Sequence, residues 1–287
     1  MIVVTGATGQ LGSQIVENLL TRVSADTVGV SVRDTAKAAS LAKRGVRVRR
    51  GDFTDPAALE YAFEGADQVL VVSAAIRGSN AVTANIAALD AAHAAGARRI
   101  LYTSHQAASK SSLFSPAVTH AATEEHLQRL GVPFTALRHG FYATTLGYYI
   151  GGAVETGRFA VPEDGPVSWT AHADLAEAAA AALTVDGLLE GVTAPLTAPE
   201  MLTFTDVASI LSEMTGRTIE CVIVADQEWK AAAIERGMPA PAADFSLGMF
   251  RAARAGEFAV ASPVLGTVID HQPRSARSVL QTIISKR

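Results

Sequence analysis

Apolar residues fall in short β-branched runs separated by stretches with helical spacing, and this alternation carries through the first half of the chain. The runs are IVVT (2–5), TVGVSV (27–32), VRVRR (46–50), QVLVVS (68–73), RILYTS (99–104) and FTALR (134–138). Helical patterns lie near 11–21, 35–43, 56–63, 82–95 and 118–130. Strands alternating with helices at this spacing predict βαβ units and a parallel sheet covered on both faces. The punctuation agrees. In GDFTDPAAL (51–59), Thr54 or Asp55 can cap a helix that has Pro56 in its first position, and Gly96 stands just past a helix end. After about residue 140 glycines, prolines and aromatics break the rhythm, and helices are predicted near 172–184, 203–215, 226–236, 242–256 and 274–285.

The first strand runs into TGATGQLGSQIVENLL, with glycines at Gly6, Gly9 and Gly12. Gly6 permits a tight turn, Gly9 lets backbone approach a pyrophosphate, and Gly12 lets the helix pack close to the strand. Phosphate would then sit at the helix N-terminus, where free N–H groups and the macrodipole favour an anion. In this position the loop predicts a dinucleotide site. The expected fold is therefore α/β, a Rossmann-type doubly wound parallel sheet over 1–140. A smaller C-terminal α/β substrate lobe is expected over 141–287, interleaved with the last strands of the sheet. The end of the second strand selects the cofactor, since an acidic residue there favours NAD(H) and a basic one accommodates a 2′-phosphate. TVGVSVRDTAKA puts Arg33 at that end and Lys37 one turn on, with Asp34 one position late for a ribose contact. NADP(H) is expected over NAD(H).

Composition narrows the class. At 287 residues, 49% hydrophobic and 18% charged, the chain can bury a large core and is not a disordered one. Its mean hydropathy of +0.23 owes much to alanine, as in AEAAAAAL (176–183), and no apolar run approaches the roughly 20 residues a bilayer span needs. MIVVTGATG enters a strand and glycine loop at once, leaving no room for a cleavable signal, so a cytoplasmic protein without membrane insertion is expected. The lone Cys221 excludes an intramolecular disulfide framework and a Cys-based zinc cluster. A net charge of −4 without a basic run argues against nucleic acid as a partner.

TGATGQLG, SVRDTAKA, GDFTD, VVSAA and YTS together resemble the atypical short-chain dehydrogenase/reductases, most closely the NmrA-like group, which includes quinone and triphenylmethane-dye reductases. LRHGFY (137–142) is similar to that group's LRNGWY-type segment, and SWTAHADLAEAAAAAL to its helix lining the substrate lobe. The resemblance implies that Gly6, Thr8, Gly9, Gln10 and Leu11 line the pyrophosphate, with Gly12 closing the loop. It places Arg33 and Lys37 at the 2′-phosphate, Asp52 and Phe53 beside adenine, and Ser73 and Ala74 under the ribose. Thr103 and Ser104 would border the nicotinamide. The implied activity is NADPH-dependent hydride transfer to a small-molecule acceptor, quinone-like or otherwise conjugated. The alternative within the same group is a non-catalytic NADP(H) sensor that regulates a partner protein. A homodimer is compatible with either.

The helix after the fifth strand raises the sharpest question. Catalytic short-chain reductases carry Tyr-x-x-x-Lys there, whereas THAATEEHLQRLG (119–131) has His120 and Glu124 at that spacing and no tyrosine. The pair could do acid/base work, since a carboxylate one turn away raises a histidine pKa. It could equally be structural. A metal is not expected, because His126 points to another face and no further Cys or His cluster accompanies it. Quinone reduction needs mainly orientation and a dry pocket. Phe141, Tyr142, Tyr148, Tyr149 and Trp169 are candidates to roof the cofactor, with Tyr142 the foremost catalytic candidate. The Ser-rich stretch 105–118, carrying Ser109, Ser111 and Ser112, reads as a mobile loop over the cleft.

Overall fold

The computed structural model of the chain describes residues 1–74 and 79–285. Six strands of the main sheet come from its first half: β1 (Ile2–Thr5), β2 (Val28–Val32), β3 (Arg47–Arg50), β4 (Gln68–Val71), β5 (Arg99–His105) and β6 (Phe134–His139). A short edge strand, Gly191–Val192, makes a seventh. All pair in parallel, in the order β3-β2-β1-β4-β5-β6 followed by 191–192. The order reverses direction between β1 and β4, so their carboxyl ends diverge and leave a crevice, the usual ligand position in open α/β sheets.

Helices α1 (Gln10–Leu20), α2 (Ala39–Lys43), α3 (Pro56–Phe63), α4 (Ser79–Ala94) and α5 (Ser115–Arg129) follow the first five strands. The α1 helix buries Leu11, Ile15, Val16 and Leu19 along one stripe. It packs beside the helix His172–Thr184, whose buried alanines let the two backbones approach closely over one sheet face. On the opposite face Leu59, Phe63, Leu89, Ala92 and Leu127 cover the sheet. Asp55 caps α3 by accepting from the Ala58 N–H at 3.1 Å, with Pro56 in the first turn. Gly96 closes its turn with a left-handed φ of +80°.

One departure from the sequence reading is local. The helix expected over 35–43 splits into a 3-10 turn and the short α2. Asp34 accepts from the Ala36 N–H at 3.1 Å and so captures a donor at the turn's start. The VVSAA motif ends at Ala75, outside the described residues. In the second half, an aromatic core of Phe141, Trp169, Phe204, Phe250 and Phe258 forms a separate cluster. It packs beside a small parallel pair, Arg158–Pro162 with Glu220–Val224. Among the described residues no helix is long and apolar enough to cross a membrane.

Candidate functional site

The glycine loop shows why each glycine is needed. Gly6 takes φ +63°, and the Gly9 N–H donates to its carbonyl at 2.9 Å. A Cβ on Gly12 would lie 2.3 Å from the Gly6 carbonyl oxygen, inside the backbone of the turn. Gly12→Ala is therefore expected to cost about 1–3 kcal/mol, the usual range for overpacking, and to weaken cofactor binding. Thermal denaturation and an NADPH titration of the same variant test this.

Above the loop lies a cleft of about 760 Å³. One side is lined by Gly6, Thr8, Gly9, Gln10, Leu11 and Gly12, then by Ser31, Val32, Arg33 and Lys37 at the end of β2. Gly51, Asp52 and Phe53 follow β3, while Val72, Ser73 and Ala74 follow β4. Tyr142, Thr144, Thr145, Tyr148 and His172 close the other side. The Ser31 hydroxyl is buried in this wall with no hydrogen-bond partner among the described residues, and a Cβ on Gly51 would sit 2.1 Å from it. An orphaned hydroxyl beside a backbone that tolerates no side chain suits the polar nucleoside end of a dinucleotide. Arg33 forms no ion pair among the described residues, and Lys37 stands 4.0 Å from Asp34. Asp52 accepts from the backbone N–H and hydroxyl of Thr54, which holds its carboxyl below the usual range.

At the inner end, the Ser73 N–H donates to the Thr103 hydroxyl at 2.8 Å. Thr103 and Ser104, expected to border the nicotinamide, are buried behind the residues that line the cleft, and Thr103 braces Ser73 from there. The aromatic roof is smaller than expected. Phe141 and Trp169 are core residues in edge contact at 5.3 Å, and Tyr149 packs on Phe204 and Phe250. Of the five candidates, Tyr142 and the 85% exposed Tyr148 line the cleft. Tyr142 packs against His172 with ring centroids 4.2 Å apart and planes tilted by 39°, and the His172 Nδ1 lies 3.4 Å from the Thr144 hydroxyl. Burial pushes Tyr142 up to about 12 and His172 down to about 4, so both stand neutral near pH 7. His172, Thr144 and Thr145 carry no spacing signal, and sequence reasoning missed them.

His120 and Glu124 do not line the cleft. They meet β5 instead, because residues two apart on a strand and four apart on a helix are separated by nearly the same distance, roughly 6–7 Å. Tyr102 reaches the His120 Nδ1 at 2.7 Å, and the Ser104 hydroxyl donates to Glu124 at 2.6 Å. Arg138, the register partner of Ser104 on β6, clamps the same carboxylate at 2.7 and 3.0 Å. Glu124 is thus held in a buried ion pair. Its neighbours diverge: Glu125 pairs with Lys110, and His126 with Asp90 at 2.6 Å. Among the described residues no group of side chains could hold a metal ion.

The Ser-rich stretch is not a lid on the main cleft. Ser109, Ser111 and Ser112 border a separate shallow depression with Gln106 and Glu257. Glu257 accepts from the Ser112 hydroxyl and from the Leu113 N–H, which ties the segment to the second half of the chain.

The model of the NmrA-like family matches residues 1–274. The chain belongs to this family. It is 34% identical over 273 residues to quinone oxidoreductase 2 of Escherichia coli, covering 94% of each chain. It is 32% identical over 245 residues to an NAD(P)H azoreductase of Xenophilus azovorans, covering 85% and 84%. The crystal structure of the E. coli NADPH-dependent quinone oxidoreductase complexed with NADPH matches with a TM-score of 0.92 at 31% identity, over 99% and 100% of the two chains. That of the Citrobacter sp. triphenylmethane reductase complexed with NADP(H) matches at 0.90 and 31%, over 98% and 99%.

Proposed function

We propose that this NmrA-like protein reduces a quinone-like or otherwise conjugated planar acceptor at the inner end of the cleft. The protein is an NAD(P)H-dependent oxidoreductase, and its cofactor is NADP(H). The observation that carries the proposal is the pairing of two unlike ends in one cleft. Arg33 and Lys37 stand at the β2 end, while the neutral Tyr142–His172 ring pair stands at the other.

When bound, NADPH supplies a hydride to the acceptor. The chain's own residues bind, orient and exclude water. The α1 N-terminus, with Thr8, Gln10 and Leu11, would take the pyrophosphate, and Ser73 and Ala74 the ribose. Arg33 and Lys37 would hold the 2′-phosphate. Tyr142, kept protonated by burial, would hydrogen-bond and stack on the acceptor without exchanging a proton. The lobe over 141–287 contributes the acceptor side of the site.

Mixing the protein with NADPH and a panel of quinones, azo dyes and triphenylmethane dyes should consume NADPH absorbance. Tight NADPH binding with no consumption against any acceptor would favour a sensor instead. Arg33→Ala should raise the NADPH dissociation constant roughly 10- to 100-fold, as for loss of one charged hydrogen-bond donor, and leave that for NADH unchanged. Equal losses for both cofactors would remove Arg33 from the 2′-phosphate.

A further inference from the structure

Strand β4 ends at Val71, and the next three backbone N–H groups are all drawn away from the cleft. The Val72 N–H donates to the Thr5 hydroxyl at 2.8 Å, the Ser73 N–H to the Thr103 hydroxyl at 2.8 Å, and the Ala74 N–H to Asn85 Oδ1 at 2.9 Å. These partners come from β1, β5 and α4, and each is 1% exposed. None of them lines the cleft, whereas Val72, Ser73 and Ala74 do.

The Asn85 amide has one orientation. A backbone N–H can only donate, so the amide oxygen must face Ala74, and Nδ2 donates to the Tyr102 hydroxyl at 3.1 Å. Thr103 is used as fully: it accepts from the Ser73 N–H and gives its own proton to the Ser73 hydroxyl at 3.3 Å. What this stretch of wall keeps for a ligand is the Ser73 hydroxyl proton and the Ser73 and Ala74 carbonyls, which accept from no group among the described residues. It has no backbone donor left for a phosphate.

We propose that Asn85 and Thr103 are positioning residues for the nicotinamide half of the cofactor, drawing the backbone donors inward so that the wall after β4 becomes an acceptor surface for ribose hydroxyls. This rests on the cofactor placement given above. Neither side chain lines the cleft, so each acts through the backbone it holds. The order of the sheet supplies the half. Arg33 and Lys37 follow β2, the glycine loop follows β1, and Ser73 and Ala74 follow β4, the next strand across. A dinucleotide with its 2′-phosphate at β2 and its pyrophosphate over the β1 loop therefore carries its second ribose to the end of β4. The chemistry is sorted the same way. The N–H groups a pyrophosphate needs stand at the start of α1, and the acceptors a ribose diol needs stand at Ser73 and Ala74. That ribose sets where the nicotinamide ring lies, so loosening the wall acts on one half of the cofactor and spares the other.

The test uses the full chain and two ligands. One is NADPH. The other is 2′,5′-ADP, which has the adenosine half with its 2′-phosphate and lacks the nicotinamide riboside. Asn85→Leu and the near-isosteric Thr103→Val should each raise the NADPH dissociation constant roughly 3- to 10-fold, as for loss of one hydrogen bond, and leave that for 2′,5′-ADP within about two-fold of wild type. Thr103→Ser, which keeps an acceptor for the Ser73 N–H, should stay within about two-fold for both. Hydrogen exchange at the Ala74 amide should quicken in Asn85→Leu, and Thr103→Val carries the test should Asn85→Leu not fold. A merely structural role would weaken both ligands alike or neither, and either result in a folded Thr103→Val overturns the positioning role alone. An Arg33→Ala chain that binds 2′,5′-ADP as tightly as wild type overturns the cofactor placement, and this role with it.

Discussion

Arg138→Met is expected to lower the thermal midpoint by roughly 5–15 °C, the shift that about 3–5 kcal/mol produces in a chain of this size. Arg138 contacts Glu124 through two nitrogens, and the Glu124 side chain is only 5% exposed. Removing the guanidinium leaves a buried carboxylate with the Ser104 hydroxyl as its remaining hydrogen-bond donor among the described residues. The desolvation cost of that charge then goes uncompensated. Adding Glu124→Gln to the same chain should recover most of the loss, because a neutral amide costs less to bury than an orphaned charge. Differential scanning calorimetry of the two single variants and the double variant forms a thermodynamic cycle. Additive losses in that cycle would mean the pair is not coupled and that Glu124 draws its stability elsewhere.

That ion pair marks the limit of what the sequence could reveal. The sheet, its order of helices and the tight glycine loop between β1 and α1 were legible because they depend on local pattern: β-branched runs and the three glycines. Helical spacing also correctly put His120 and Glu124 on one face. It could not show what that face meets, which depends on the register of β5 against β6. One register brings Ser104 beside Arg138 and His105 beside His139, and the neighbouring Tyr102 faces His120. Each partner is separated from α5 by a turn or more of chain that no periodicity links. The same limit hid His172, which enters the cleft from the start of a helix that packs on α1 from the far half of the chain. The aromatic residues after β6 were visible as a group, but which of them point to the cleft depends on packing against the second half of the chain. A Cβ on Gly140 would meet the Thr170 hydroxyl at 2.1 Å, so the two segments pack closely there, and in the short strand Phe141–Tyr142 alternation puts Phe141 in the core and Tyr142 on the cleft.

Acid should unfold the protein near pH 5, well above the range in which most carboxylates titrate. Of its seven histidines, four are held neutral by burial: His105 and His139 at about 3, His120 and His172 at about 4. In the unfolded chain each would titrate near 6.5. The folded values are lowered, so the unfolded state binds more protons as pH falls, and stability is lost downward from about 6.5. Each histidine costs about 1.4 kcal/mol per pH unit in that window. At pH 5 four of them together cost roughly 8 kcal/mol, comparable to the whole stability of a typical domain. The exposed His271 opposes this only weakly, because its raised pKa, from the Gln272 carbonyl and Glu177, stabilises the fold at low pH. The depressed carboxyls Asp52 and Asp226 act lower still. His139 is the most informative position to change. Both of its ring nitrogens are buried without a partner among the described residues, so the ring carries an unmet desolvation cost even when neutral. His139→Leu should therefore be at least as stable as wild type at pH 7.5, and should reduce the steepness of the acid transition from about four protons to about three. Denaturant melts from pH 7.5 to 4.5 measure both quantities. A wild-type stability that stays level down to pH 5 would show that these rings take up protons without unfolding the fold.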